Sequence, residues 1–190
     1  MTWNEYVQTF DAILNTPQPN APYDDAHYME YTKLNKSRMN RWLKTGQLSE
    51  EVVNELNAIT EAQHWVLITE PWCGDAAHCN PFIYKMSEVN ALVNLSIQLR
   101  DTDSEIDQYL TNGSKSVPKL IVRNAEGKDI FVWGPRPIAA QEYFMTQKAL
   151  GLDLEDQKSK LQEWYNNDKG GEIQKEFASW LSKVTRQEMA

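Results

Sequence analysis

Cysteine and histidine are scarce: two of one and three of the other in 190 residues. Two cysteines make no disulfide framework and read as reduced thiols of a cytosolic protein. Zinc wants four ligands, usually in paired short motifs, and Cys73, His78 and Cys79, with only His27 and His64 beyond them, supply no such pattern. Neither a metal nor a cofactor is therefore expected. No apolar run approaches the length that crosses a bilayer, so no membrane partner is expected. Met1-Thr2-Trp3-Asn4-Glu5 has neither the basic nor the apolar region of a signal peptide, which makes the cytoplasm the expected location. Positive charge is also in deficit, with 19 Lys and Arg against 27 Asp and Glu and a net charge of −8. That balance favours solubility and excludes a general nucleic-acid binder. There is no internal repeat and no low-complexity segment. What is present, 41% apolar and 24% charged residues at the length of one domain, can bury a sizeable core.

The chemistry concentrates between His64 and Pro81. Residues 65–68, Trp-Val-Leu-Ile, form a short apolar run of the kind a buried strand needs. Pro71 ends it, having no amide to give a ladder. Trp72-Cys73-Gly74-Asp75 reads as a turn, and a helical pattern follows from Ala76. A cysteine between a strand and a helix start meets unpaired amides and the positive end of the helix dipole. That setting stabilises thiolate over thiol, although the charge of Asp75 opposes it. His78 reads as a surface residue of the first helical turns. Cys79 lies about 9 Å of rise and about 240° of rotation further along a helix, whereas a disulfide needs Cα atoms within about 7 Å. Cys79 is thus a possible second thiol only if the first turn unwinds; otherwise it is a small buried apolar residue.

Before that stretch, Thr2 and Glu5 form a capping-box pattern, and Trp3, Tyr6, Val7, Phe10 and Leu14 make one helical stripe. The prolines between 17 and 22 break it. A second helix is expected from Asp24 to Lys44, with Tyr28, Tyr31, Leu34, Met39 and Trp42 near one face. Its Lys33, Lys36, Arg38, Arg41 and Lys44 reverse the local charge, either as a solvated face or as an edge for an anionic partner. Ser49-Glu50-Glu51 opens a third helix through about Ile59. After the central stretch, residues 81–93 continue as helix and 96–100 alternate as a strand. Asp101 to Ser104 cap a short helix holding Ile106, Tyr109 and Leu110. Strands follow at 120–122 and 130–133 with a hairpin turn at 124–127. Pro137 suits the first position of the next helix. Leu161, Trp164 and Tyr165 mark one closing helix, and Ile173, Phe177, Trp180 and Leu181 mark another.

Strand, Trp72-Cys73-Gly74-Asp75, helix resembles the active-site corner of the thioredoxin family, in its Trp-Cys-Gly-Asp branch. Residues 115–122, Lys-Ser-Val-Pro-Lys-Leu-Ile-Val, are similar to the loop that carries the family's cis-proline into a central strand. Residues 131–137, Phe-Val-Trp-Gly-Pro-Arg-Pro, resemble the strand end and turn before its last core helix. The resemblance implies an α/β thioredoxin-like fold, a four-stranded mixed sheet with flanking helices, elaborated by extra helices at both ends. One domain, 1–190, is expected, divided into an N-terminal helical extension at 1–60, a core at 61–150 and C-terminal helices at 151–190.

The same resemblance makes Cys73 the attacking thiol of thiol–disulfide exchange on a protein or small-thiol disulfide. The family's second cysteine falls on Ala76, so the implied chemistry is that of a monothiol. Trp72, Gly74, Val117 and Pro118 would form the substrate groove, with Pro118 cis and Val117 offering backbone groups to an extended segment. Arg136 would face that groove as an anion contact. The alternative is a non-catalytic binding module that keeps the groove between Trp72 and Pro118. A helical docking protein using the basic second helix is a third class. No oligomeric state is read from the sequence.

Overall fold

Alternation along one central strand divides the core in two. β1 (Gln63–Thr69) sends Trp65 and Leu67 into one apolar cluster and Val66 and Ile68 into another, because successive side chains leave a strand on opposite faces. The structure is a computed structural model describing residues 1–188, with side chains through residue 184. β1 pairs in parallel with β2 (Val93–Leu99) and antiparallel with β3 (Lys119–Arg123), which pairs antiparallel with β4 (Asp129–Trp133). The order β2-β1-β3-β4 is a four-stranded mixed sheet flanked by helices, the α/β thioredoxin-like fold. Leu67 lies between Ile97 and Leu120 in register. The outer edge of β2 is not left bare, since Met1 exchanges two backbone hydrogen bonds of 2.8 Å with Ile97.

Three helices precede the sheet: α1 (Trp3–Asn15), α2 (Ala26–Thr45) and α3 (Glu50–Asn57). Thr2 and Glu5 form the capping box of α1, and Trp3, Tyr6 and Phe10 are buried. α2 packs on α4 (Gly74–Ser87), the helix that follows β1. Of its expected stripe, Met39 and Trp42 are buried, whereas Tyr28 and Leu34 remain exposed. α5 (Ile138–Ala149) follows β4 and packs on α6 (Leu154–Asp168), while α3 packs on α7 (Gly171–Glu188). The trailing helices complete the larger cluster. Phe177 of α7 meets the rings of Trp65, Phe131 and Trp133, and Leu161 and Tyr165 of α6 are buried with it.

Several boundaries differ from the sequence reading. α4 starts at Gly74 instead of Ala76, because Cys73 is the capping residue and its carbonyl accepts the Ala77 amide at 3.2 Å. It ends at Ser87 and does not continue to Val93. The Asn90 side chain ties the following turn to the Leu56 and Ile59 carbonyls at 2.9 and 3.0 Å, and Val93 opens β2. The short helix near Ile106 is a single turn of 3₁₀ helix, Ile106–Gln108, which leaves Tyr109 and Leu110 outside it. Pro137 caps α5 from outside its first turn. Among the described residues no helix is long and apolar enough to cross a membrane.

Candidate functional site

Glu70 to Gly74 turn the chain from the central strand into α4. The Cys73 amide donates to the Glu70 carbonyl at 3.1 Å, and Asn35 of α2 donates to the Pro71 carbonyl at 3.0 Å. The turn is therefore held from both sides. Cys73 sits at its end, only 7% exposed, and its thiol points at the Val117 carbonyl at 3.2 Å. The Val117–Pro118 peptide is cis, as the resemblance implies. Gly134 presses against this loop at φ +112°, where an added Cβ would stand 2.2 Å from the Pro118 carbonyl oxygen. Only glycine combines that conformation with that approach.

Trp72 is half-buried. The Arg100 guanidinium lies 4.6 Å over its ring and Tyr28 meets it edge-on at 5.7 Å. Its indole Nε1 is buried without a hydrogen-bond partner.

Behind Cys73 the site is electrostatically crowded. Asp75 is buried, with one carboxylate oxygen 2.7 Å from Arg136 Nη2 and the other accepting the Tyr165 hydroxyl at 2.7 Å. Burial raises its pKa, and the Arg136 charge works against that. Arg136 was expected to serve the groove beside Pro118. It pairs with Asp75 and lies 4.8 Å over the Phe144 ring, because a buried carboxylate needs a counter-charge. Two of its nitrogens, Nε and Nη1, are buried without partners.

The Cys73 thiol does not follow the helix-start expectation. Burial and then the Asp75 carboxylate push it up to about 12, outweighing the Ala76 and Asp75 amides and the Arg136 charge. A helix terminus lowers a thiol pKa only where the thiolate keeps some solvent or cationic company.

His78 is not a surface residue. It is buried, stacked on Tyr165 at 4.5 Å and 7°, and bonded on both ring nitrogens. The Trp42 indole can only donate, at 2.9 Å, so His78 Nδ1 accepts and Nε2 carries the proton toward Gln162 Oε1 at 2.7 Å. Burial drives its pKa down to about 3, which makes it a neutral strut between α2 and α6. Cys79 is buried beside the Tyr165 hydroxyl at 3.9 Å, and burial pushes its thiol far up. Both cysteines are free.

Beside Cys73 opens a cavity of about 750 Å³. Trp72, Cys73, Gly74 and Arg136 reach it from the sheet side, and α2 and α6 roof it with Tyr31, Arg38, Leu154 and Lys158. Val117 and Pro118 are not part of its wall. The roof was not legible in the sequence. The basic run of α2 was the one signal for Arg38, and Tyr165, Gln162 and Lys158 carried none beyond helical patterning.

A sequence model described as thioredoxin matches residues 21–160. The chain belongs to the thioredoxin family. No curated protein matches it. Its fold is similar to that of PA1234, a Pseudomonas aeruginosa protein of unknown function, at 12% identity and a TM-score of 0.53 over 97% of this chain and 99% of that one. An HIV epitope scaffold is similar at 14% identity and a TM-score of 0.54, over 96% and 99% of the two chains. Both likenesses concern the fold alone. They extend over the flanking helices as well as the sheet.

Proposed function

We propose that this thioredoxin-family chain performs monothiol thiol–disulfide exchange at Cys73. The observation that supports it most is the seat of the thiol. Cys73 caps α4, lies 3.2 Å from the Val117 carbonyl beside Pro118, and lines a cavity of about 750 Å³. In the exchange step, Cys73 Sγ attacks one sulfur of a disulfide. The S–S bond breaks, a new Cys73 S–S bond forms, and the other sulfur leaves as a thiol with the proton that Cys73 gave up. Ala76 offers no resolving sulfur, so a second, external thiol must attack the mixed disulfide and regenerate Cys73. The raised pKa leaves few thiolates at neutral pH, but each is the stronger nucleophile for its basicity. Turnover of a model disulfide with glutathione as external thiol tests this. Cys73→Ser should abolish the activity and Cys79→Ser should leave most of it; unchanged turnover in Cys73→Ser overturns the proposal.

The raised pKa of Cys73 favours a second reading, a non-catalytic binding module using the space between Trp72 and Pro118. Its partners would survive Cys73→Ser and be lost when Trp72 or the Pro118 loop is changed.

A further inference from the structure

The cavity beside Cys73 carries a chemical preference in its unmet hydrogen bonds. Two of the residues that line it, Trp72 and Arg136, carry buried polar atoms that have no partner among the described residues: Trp72 Nε1, Arg136 Nε and Arg136 Nη1. All three are donors. A buried donor without an acceptor costs about 1–3 kcal/mol, more when charged, so a small turn of either side chain toward an acceptor in the cavity would be favoured.

The charges on the same wall agree. Asp75 has both oxygens engaged, by Arg136 and by Tyr165. Glu155 pairs with Lys158 at 2.7 Å and also accepts the Tyr31 hydroxyl at 3.2 Å. Glu30 is exposed to solvent. Arg38, half-buried, has no carboxylate partner among the described residues; Asn35 Oδ1 holds its Nη1 at 3.0 Å. The other amide end of Asn35 holds Pro71, immediately before Trp72 and Cys73. Arg38 is thus fixed relative to the thiol and faces the cavity with its charge unpaired. The rest of the wall combines the apolar and aromatic Tyr28, Leu34, Phe144 and Leu161 with the neutral polar His27, Ser159 and Gln162.

We infer that this cavity binds a small molecule with an anionic, carboxylate-like head on Arg38 and Arg136 and an apolar body under α2 and α6. A space of about 750 Å³ suits a small molecule. As the substrate class of Cys73, the inference rests on the exchange reading above. As a binding site it stands without it.

Two arms separate these. In the first, Cys73→Ser protein is titrated with nitrobenzoate and with its neutral counterpart nitrobenzamide, following the Trp72 indole N–H resonance. Nitrobenzoate should bind at least about ten-fold more tightly, the scale of a charged hydrogen bond, and Arg38→Gln should erase the preference. Lys33→Gln, on the exposed side of α2, should leave it intact and so control for a general loss of positive charge.

In the second arm, the Cys73 thiol reacts with anionic dithiobis(nitrobenzoate) and with neutral dithiodipyridine. The reagent's S–S bond breaks, a Cys73 S–S bond forms, and an arylthiol leaves. The ratio of the two rates should fall about ten-fold in Arg38→Gln and in Arg136→Gln. Because Arg136→Gln strands Asp75, Arg136→Lys serves as the folded check and should restore part of the ratio. Equal affinity for the two probes, with a ratio unmoved by Arg38→Gln, overturns the inference. Preferential binding of nitrobenzoate without reaction at Cys73 supports the site and overturns the exchange reading alone.

Discussion

Tyr165 donates a 2.7 Å hydrogen bond to Asp75 across 90 positions of sequence. Through it, a helix near the end of the chain reaches the residue that sets the charge beside Cys73. The same ring stacks on His78, which also bonds Gln162 of α6, so α6 is tied to α4 at several points. Tyr165→Phe keeps the stack and removes the hydroxyl. It should destabilise the fold by about 1–3 kcal/mol, the loss expected when a buried carboxylate forfeits a donor. Urea denaturation of the two proteins measures it, and an unchanged midpoint would show that the bond contributes nothing.

The pH dependence of Cys73 follows from its position between burial and Asp75. With the thiol pushed up to about 12, the thiolate fraction rises about ten-fold per pH unit throughout the range below that value. Alkylation of Cys73 should therefore climb steadily between about pH 7 and about pH 10, without the plateau of an ordinary thiol near 8.5. Asp75→Asn removes the opposing charge and leaves Arg136 unmatched, so it should lower the apparent pKa and speed labelling at neutral pH. A plateau in the native protein near neutrality would contradict the burial seen at this site.

His78 supplies a test in acid. Its folded-state pKa lies below the unfolded value of 6.5, at about 3. The neutral ring is thus favoured by folding, and its contribution is fully present above about 6.5 and lost as the pH falls toward about 3. The slope is about 1.4 kcal/mol per pH unit within that window. Glu70 has the opposite sign, since burial raises it to about 6 and its contribution is lost as the pH rises through that value. Comparing native protein with His78→Gln cancels the Glu70 contribution. The gap between their denaturation free energies should narrow from about pH 7 to about pH 4, and a constant gap would mean that His78 titrates normally.

Gly134→Ala tests how tightly the Pro118 loop is seated. The new methyl would lie 2.2 Å from the Pro118 carbonyl oxygen in a backbone at φ +112°. Strain and clash together should destabilise the protein by about 2–4 kcal/mol. Differential scanning calorimetry should show a melting temperature lower by many degrees. Gly127→Ala, where an added Cβ meets nothing within 4 Å, isolates the conformational part and should be milder.

Ala76→Cys rebuilds the spacing that the family uses. Ala76 is buried beside Cys73 in the smaller apolar cluster, in the first turn of α4. The variant should form an internal disulfide under mild oxidation and reduce a model disulfide without external thiol. Native protein should instead give adducts with small thiols or intermolecular bonds, because Cys79 is packed against Tyr165 and not against Cys73. Peptide mapping that recovers a Cys73–Cys79 bond from folded native protein would show that the first turn of α4 opens.

How much of this was legible depended on the range of the interactions. Residues 65–68 form a strand because a local apolar run must be buried on both faces, and that can be read without knowing what covers it. The Trp72-Cys73-Gly74 turn, the capping box at Thr2 and Glu5, and the pairing of Val117 with Pro118 are likewise written in adjacent residues. Boundaries slipped where a distant group fixed them, as when Asn90 reached Leu56 and Ile59 to close the turn after α4.

By itself, the sequence determined the order of strands and helices, the place of Cys73 at a helix start, and the absence of a sulfur at position 76. Those follow from periodicity, turn chemistry and a motif of neighbouring residues. Only the tertiary structure decided the state of that thiol. Asp75 beside Cys73 in sequence opposes ionisation whatever surrounds it, but Arg136 and Tyr165 hold Asp75 in place from positions 61 and 90 residues away. The apolar cluster around Cys73, from Val66 and Ile68 to Val117 and Ile121, removes the water that would otherwise solvate a thiolate, and α2 and α6 turn His78 from an apparent surface residue into a buried neutral strut. Desolvation is set by everything packed around a group, and no short window of sequence contains it.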